Sequence, residues 1–149
     1  MIFIIIIISI FLLEKKIKNY IEENREMHKK EKILKGHIIL NRYHNKGVFL
    51  NVLENNLKLV KTLTITLLGI LLLVFAIILP KKNSNGIKLA LSLIIGGAAS
   101  NTYDRFKRGY VVDYFSFKVL KRIIFNISDI CIFLGAALLL IVSKFQKNI

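Results

Sequence analysis

Uncharged apolar stretches alternate with charged segments along the chain, and their lengths indicate membrane-spanning helices. A helix needs about 20 residues to cross a hydrocarbon core about 30 Å thick. Residues 62–79 are all uncharged and lie between lysines. Residues 1–13 are also uncharged, and we expect this helix to extend to about residue 20, with Lys15, Lys16 and Lys18 snorkelling at the membrane interface. The pattern predicts four spans, over about 1–20, 62–79, 87–103 and 123–143.

The polar segments between the spans cover about residues 21–61 and 104–122. Residues 15–35 mix Lys and Glu with Ile and Tyr at loose helical spacing, which predicts an interfacial or solvated helix. Residues 37–53 are richer in β-branched and aromatic side chains around a glycine-containing turn, which indicates a β-hairpin. We therefore predict a single all-α membrane domain over residues 1–149, with four transmembrane helices, a small β-rich element and an interfacial helix.

Composition favours a membrane protein over a nucleic-acid-binding protein. The chain is 54% hydrophobic with a mean hydropathy of +0.56, although 23 Lys and Arg against 9 Asp and Glu give a formal charge of +14. The basic residues lie between long apolar stretches rather than on one soluble domain, so we expect membrane lipids, including anionic ones, and no nucleic acid as partners. Eighteen of them lie in residues 14–61 and 104–122. The positive-inside rule would place these segments in the cytoplasm.

Cysteine and histidine give no sign of a metal site. Cys131 is the only cysteine, which excludes an internal disulfide, and its apolar setting indicates a packing role. The three histidines are scattered through one polar segment without the spacing of zinc ligands. We therefore expect no metal.

The chain has only three aspartates, and all of them fall within 26 residues, at Asp104, Asp113 and Asp129. Asp129 lies in the first turns of an apolar span, where an ionisable group costs at least about 2.5 kcal/mol unless it faces protein or water. Asn126 precedes it by three residues, so its amide shares a helix face with the carboxyl and can orient it. Asp113 lies between apolar neighbours near a membrane boundary. Asp113 and Asp129 are therefore candidates for a buried carboxyl pair.

Such a pair has a definite use in peptide hydrolysis. Both carboxyls cannot ionise easily, so one keeps its proton while the other accepts a proton from the attacking water. The protonated partner polarises the scissile carbonyl and then serves the leaving amine. Spacing alone leaves a structural Asp pair and an ion pathway open. The nearby residues also have structural interpretations. Gly96 and Gly97 would suit close helix packing in any helix bundle, and Asp104 with Arg105 could form an interfacial ion pair.

Three short motifs resemble the lipoprotein signal peptidase (signal peptidase II) family in order and spacing. Residues 96–105 match the family pattern G-G-A-x-x-N-x-x-D-R, residues 111–114 resemble V-V-D-F, and residues 125–129 resemble F-N-x-A-D. The resemblance implies that Asp113 and Asp129 are the catalytic aspartates. It also implies that four neighbouring polar residues position them and hold substrate, namely Asn101, Asp104, Arg105 and Asn126.

The chain departs from the family pattern at several positions. Tyr114 and Ser128 replace the usual Phe and Ala of the last two motifs. Residues 14–18, E-K-K-I-K, stand where the family has D-Q-x-x-K, and residues 45–49, N-K-G-V-F, are one residue short of N-x-G-A-A-F. The resemblance implies that the matched positions of these two motifs support the dyad or bind substrate, namely Glu14, Lys18, Asn45 and Gly47.

Family members are four-span bacterial membrane aspartic endopeptidases that remove signal peptides from prolipoproteins. The resemblance implies a multi-pass protein of the bacterial cell membrane, with both termini cytoplasmic and the β-rich element outside, an orientation that the Lys and Arg count opposes. It also implies cleavage just before the diacylglyceryl-modified cysteine, without metal or organic cofactor. Two alternatives stay open: an idle relative that binds prolipoproteins without cutting them, and a small proton-linked transport protein.

Overall fold

The computed structural model describes residues 1–47, 52–120 and 123–146. Within these ranges the fold consists of four α-helices and a three-stranded antiparallel sheet. In chain order the elements are α1 (Ile2–Asn24), β1 (Glu31–Ile33), β2 (Ile38–Asn45), α2 (Leu57–Ile78), α3 (Asn85–Lys107), β3 (Val111–Phe117) and α4 (Ile127–Gln146). Each of the four predicted spans therefore falls on a helix whose ends lie within a few residues of the predicted ends.

Two helices in the described part of the chain are long and apolar enough to cross a bilayer, α2 over Leu57–Ile78 and α4 over Ile127–Phe145. α1 and α3 have 23 residues each, but α1 is charged in its second half and α3 is rich in Gly, Ser and Asn. α1 nevertheless exposes large apolar side chains, including Ile5 and Ile8. The presence of four membrane spans stays a prediction.

α3 is the central helix, because it packs against α1, α2 and α4. Small residues permit close contact with α4. A Cβ on Gly97 would clash with the carbonyl oxygen of Ser128, and a Cβ on Gly135 would lie 2.7 Å from that of Ala90. The predicted packing role of Gly97 is therefore confirmed, and the start of α4 lies directly against α3.

β2 is the middle strand of the sheet, with β1 and β3 antiparallel on either side. β1 and β2 form a hairpin through a 3-10 turn at Leu34–Gly36. Residues 111–114 of β3 are all buried, as in a strand that is covered on both faces. After β3 the chain returns along it, and backbone hydrogen bonds join Phe125 to this strand. This return brings the start of α4 next to Asp113.

The helix predicted over residues 15–35 is observed only as far as residue 24, where it continues α1, and the prediction is wrong beyond that point. α1 runs without a break to Asn24, and β1 and a 3-10 turn follow within the same segment. The physical reason is burial, since Glu14, Lys18 and Ile21 all face the protein interior and continue the packed face of α1 beyond its apolar half.

The hairpin predicted over residues 37–53 is observed in part. β2 ends at the predicted turn, but its hairpin partner is β1, which precedes it in the chain. The strand predicted after the turn falls on residues 48–51, which lie outside the described residues, and residues 52–55 form a turn.

Candidate active site

Asp113 lies on β3, and only 2% of its surface is exposed. Its Oδ2 accepts a hydrogen bond from Asn45 Nδ2 at 3.1 Å, and its Oδ1 accepts one from Asn126 Nδ2 at 2.7 Å. The Oδ1 atom of Asn45 accepts a hydrogen bond from the backbone N–H of Gly47 at 3.1 Å. The turn that follows β2 therefore aims the amide of Asn45 at the carboxyl of Asp113.

Asp129 lies in the first turn of α4. Its Oδ1 accepts a hydrogen bond from Asn101 Nδ2 at 2.9 Å, and its Oδ2 accepts one from the backbone N–H of Asn126 at 3.2 Å. In return, Asn126 Oδ1 accepts a hydrogen bond from the backbone N–H of Asp129 at 2.9 Å. This reciprocal pair is a capping box that starts α4, and the helix N-terminus favours the ionised form of the carboxyl.

Asn126 joins the two carboxyls and is fully buried. Its side-chain amide contacts Asp113 on β3, while its backbone N–H contacts Asp129 on α4. Asn126 is therefore the cap of α4 rather than a residue inside the span. Because one residue contacts both carboxyls, a shift of α4 against β3 would break at least one of these hydrogen bonds.

The surroundings of the carboxyl pair favour a bound proton. The pKa of Asp113 is raised to about 7, chiefly by burial, and the charge of Asp129 acts in the same direction. The hydrogen bonds from Asn45 and Asn126 and the charge of Lys18 lower the pKa and offset part of that rise. Because Asp113 is half protonated near pH 7, the two carboxyls can share one proton at neutral pH. A singly protonated pair is the state that general acid–base hydrolysis of a peptide requires.

A buried ion cluster lies beside the carboxyl pair. Lys18 has no exposed surface, and its Nζ lies 3.4 Å from Glu14 Oε2 and 3.2 Å from Asp104 Oδ2. The same Nζ donates hydrogen bonds to Ser100 Oγ at 3.1 Å and to Asn101 Oδ1 at 2.8 Å. The prediction that Lys18 snorkels at the membrane interface is wrong, because buried oxygen atoms surround its charge. Lys18 instead orients Asn101, whose amide contacts the carboxyl pair.

Asp104 and Arg105 have separate partners rather than forming the interfacial ion pair that their adjacency suggests. Besides Lys18, Asp104 contacts Arg108 Nε at 3.2 Å and accepts a hydrogen bond from the backbone N–H of Val112 at 3.3 Å. Arg105 donates hydrogen bonds to the carbonyl oxygen of Gly47 at 2.8 Å and to that of Asn101 at 3.3 Å. Asp104 thus joins α3 to β3, and Arg105 joins α3 to the turn after β2.

Tyr114 and Ser128, which the sequence marks only as replacements of Phe and Ala, also belong to this network. Tyr114 Oη donates a hydrogen bond to Glu14 Oε1 at 2.5 Å, and Ser128 Oγ donates one to Glu14 Oε2 at 2.8 Å. The available signal was their position, because each adds a hydroxyl next to one of the two aspartates.

An apolar groove of about 230 Å³ leads to Asp129. Leu67 and Leu71 of α2 and Phe133 of α4 line its walls, while Arg105 and Asp129 contribute polar groups. An apolar peptide segment in this groove would therefore lie between α2 and α4, against α3, and reach Asp129.

A family model described as signal peptidase (SPase) II matches residues 6–145 of the chain. The lipoprotein signal peptidase of Halothermothrix orenii is 30% identical over 145 residues, which is 97% of each chain. That of Caldicellulosiruptor bescii is 34% identical over 93% of this chain and 88% of its own length. That of Clostridium tetani is 35% identical over 73% of this chain and 70% of its own length.

Solved structures share the fold. A bacterial membrane enzyme solved by the in meso method at 2.3 Å resolution superposes with a TM-score of 0.82, at 20% identity, over 98% of this chain and 88% of its own. A second bacterial membrane enzyme, solved at 1.9 Å by the same method, gives a TM-score of 0.79 at 21% identity.

Proposed function

Because this chain belongs to the signal peptidase II family, we propose that Asp113 and Asp129 form the catalytic pair of its aspartic peptidase activity. The protein is a membrane enzyme that processes the signal peptides of prolipoproteins. The observation that carries the assignment of the pair is the double contact of Asn126, which donates one hydrogen bond to each carboxyl. No other aspartate competes for the role, because Asp104 is occupied by Lys18 and Arg108.

The reaction uses one proton on the pair and one water molecule. Asp129 is the ionised partner and takes a proton as the water oxygen bonds to the scissile carbonyl carbon, while Asp113 donates its proton to the carbonyl oxygen. The tetrahedral intermediate then collapses. The C–N bond breaks, and the nitrogen takes the proton held by Asp129. One hydroxyl group of the intermediate returns its proton to Asp113 as the C=O bond forms again, which leaves the new carboxyl group of the product.

The surroundings of each carboxyl support these roles. Asp129 accepts hydrogen bonds from Asn101 and from a backbone N–H at the N-terminus of α4, and both favour its charged form. Asp113 is almost completely buried, and burial raises its pKa to about 7, so it is the partner that retains a proton near neutral pH.

The apolar groove is the proposed site of the signal peptide. Its walls of leucine and phenylalanine side chains can bind an apolar signal segment, and Asp129 is one of its lining residues. Cleavage is then placed just before the diacylglyceryl-modified cysteine, whose acyl chains stay in the lipid outside the groove. Exposed apolar side chains such as Leu73 and Leu140 give the helices the outer surface that lipid requires.

A lipid-dependence experiment tests this function. The chain is expressed in a bacterium without its own lipoprotein signal peptidase, together with a prolipoprotein whose cysteine is either intact or replaced by serine. We expect the mature form to accumulate only from the intact precursor, because serine cannot carry the thioether-linked lipid. Binding of the intact precursor without cleavage would favour the idle relative, and proton flux in liposomes without cleavage would favour a transport protein.

The proposed orientation has four spans, cytoplasmic termini and the sheet outside the cytoplasm. α1 and α3, at 23 residues each, reach about 34 Å, which is enough to cross a bilayer. With Cys131 replaced by alanine, Lys30→Cys is expected to react with a membrane-impermeant maleimide in intact cells, because Lys30 is exposed in the segment between α1 and β1. Lys82→Cys, exposed in the turn between α2 and α3, is the matched control and is expected to react only after lysis. The reverse pattern would establish the orientation that the Lys and Arg count favours.

The Asn45→Ala variant is expected to shift the pH dependence of cleavage. Activity should fall as the pH rises through about 7, because Asp113 then loses the proton that it donates. The Asn45 hydrogen bond lowers the pKa of Asp113, so its removal should move this alkaline limb to higher pH, by about one pH unit if the bond contributes about 1.5 kcal/mol. The measurement is kcat against pH between 5 and about 9.

Asn41→Ala is the matched control for that experiment. Asn41 is a buried amide on the same strand, but its Oδ1 accepts a hydrogen bond from the backbone N–H of Arg42 instead of contacting Asp113. Its removal should leave the alkaline limb in place. An unshifted limb in Asn45→Ala would show that Asp113 is not the group that titrates.

A further inference from the structure

Glu14 is a fully buried carboxylate of α1 that contacts the neighbours of both proposed catalytic aspartates. Its Oε1 accepts the hydrogen bond of the Tyr114 hydroxyl at 2.5 Å. Its Oε2 accepts hydrogen bonds from the backbone N–H of Ser128 at 3.2 Å and from its hydroxyl at 2.8 Å. Tyr114 follows Asp113 directly, and Ser128 precedes Asp129 directly. One carboxylate therefore holds the two backbone segments that carry the pair.

The same groups complete the start of α4. A helix begins with backbone N–H groups that have no partner within the helix. Here the N–H of Ile127 donates to the Tyr114 hydroxyl at 3.1 Å, that of Ser128 to Glu14, and that of Asp129 to Asn126. The first turn of α4 is thus fixed to β3 and to α1 by directional bonds.

We propose that Glu14, Tyr114 and Ser128 form a clamp that sets the spacing of Asp113 and Asp129, which makes Tyr114 and Ser128 positioning residues for the reaction. The proposal rests on the proposed function of the two aspartates. Tyr114 is 5% exposed, and burial followed by the charge of Glu14 raises the pKa of its hydroxyl, so it stays a proton donor. The clamp contacts neither the water nor the scissile bond, and it acts through the geometry of the pair.

All three clamp positions are departures of this chain from the family pattern, which has Asp, Phe and Ala there. A glutamate extends further than an aspartate, and the two replacements each add a hydroxyl that donates to it. Because all three side chains are buried, changing one leaves another without its hydrogen-bond partner. We therefore expect the three positions to be coupled functionally.

The test is a set of variants of the purified full-length enzyme with a synthetic diacylated lipobox peptide as substrate. Tyr114→Phe and Ser128→Ala are each expected to lower kcat about tenfold with KM unchanged within about threefold, because misplaced reacting groups slow catalysis without weakening binding. The double variant should lose far less than the product of the two single losses. Glu14→Asp should lower kcat by at least as much, and adding both other changes to it should recover most of that loss.

Two controls remove matched groups elsewhere. The Ser92 hydroxyl is buried and donates within its own helix to the Lys88 carbonyl, and the Tyr110 hydroxyl points at Glu22. Ser92→Ala and Tyr110→Phe should keep the wild-type kcat. Multiplicative losses, unchanged kcat in the single variants, or losses confined to KM would each overturn the clamp. If Glu14→Asp does not fold, the double-mutant cycle of Tyr114→Phe and Ser128→Ala tests the clamp by itself. Failure of the clamp would leave wild-type cleavage and its loss in Asp129→Asn intact, so the proposed function is judged separately.

Discussion

Asp113→Asn and Asp129→Asn are each expected to lower kcat for lipopeptide cleavage by at least about 1,000-fold. Asparagine keeps the size of the side chain but can neither take a proton from water nor return one to the leaving nitrogen. The hydrogen-bond donors around both carboxyls, Asn45, Asn101 and Asn126, remain in place. Each carboxyl accepts hydrogen bonds on both of its oxygens, and asparagine keeps one acceptor oxygen, so each variant also loses one of these bonds. The measurement is single-turnover cleavage by purified enzyme.

The stability of Asp113→Asn separates this explanation from a structural role. In the folded protein the pKa of Asp113 is about 7, well above its ordinary value of 3.8. The folded state therefore binds a proton that the unfolded state has lost between about pH 4 and 7, so stability falls as the pH rises through this window. Asparagine removes that penalty. The melting temperature of Asp113→Asn should exceed that of the wild type at pH 8, and the difference should vanish near pH 4.

Asp104→Asn serves as the contrasting variant, because Asp104 contacts Lys18 and Arg108 rather than the pair. It should lower the melting temperature at pH 8 and retain part of the activity. Full activity in either Asp113→Asn or Asp129→Asn would remove that aspartate from the mechanism.

The sequence predicted the helices well because each is a long apolar or amphipathic run with polar ends. It predicted α2 within five residues at its start, and it placed Asp129 in the first turns of α4, where the structure has it. It did not predict β1, since Glu31, Lys32 and Ile33 form a three-residue strand whose stability comes from pairing with β2. A strand of that length has no periodicity of its own.

The candidate site was predictable where residue type and motif agree, and was missed where burial reverses the usual behaviour of a residue. Asn101 and Asn126 lie in recognisable motifs, and both contact the carboxyl pair. Lys18 looked like an interfacial lysine because other lysines surround it in the chain. Its real partners, Asp104 and Asn101, lie more than 80 residues away in sequence, so only the packing of α1 against α3 brings them together.

Lys18→Met is expected to destabilise the protein strongly and to lower its activity. The change keeps the length of the side chain but removes the charge that Glu14 and Asp104 share, and it leaves two carboxylates buried with 0% and 2% exposure. Breaking a buried ion pair in this way costs about 3 to 5 kcal/mol, which corresponds to a fall of about 10 °C in melting temperature for a chain of this size. Cleavage should fall as well, since Asn101 loses the donor that orients it toward Asp129.

Lys29→Met is the control for charge removal alone, because the Lys29 and Glu26 pair is exposed on both sides. Surface pairs contribute little, so its melting temperature should match that of the wild type. Both proteins are measured by thermal unfolding in the same detergent, with cleavage followed at a temperature where each is folded. If Lys18→Met had the melting temperature of the wild type and cleaved normally, the Lys18 ammonium group of the wild type would have to lie in water. The buried cluster that connects α1 to the carboxyl pair would then be wrong.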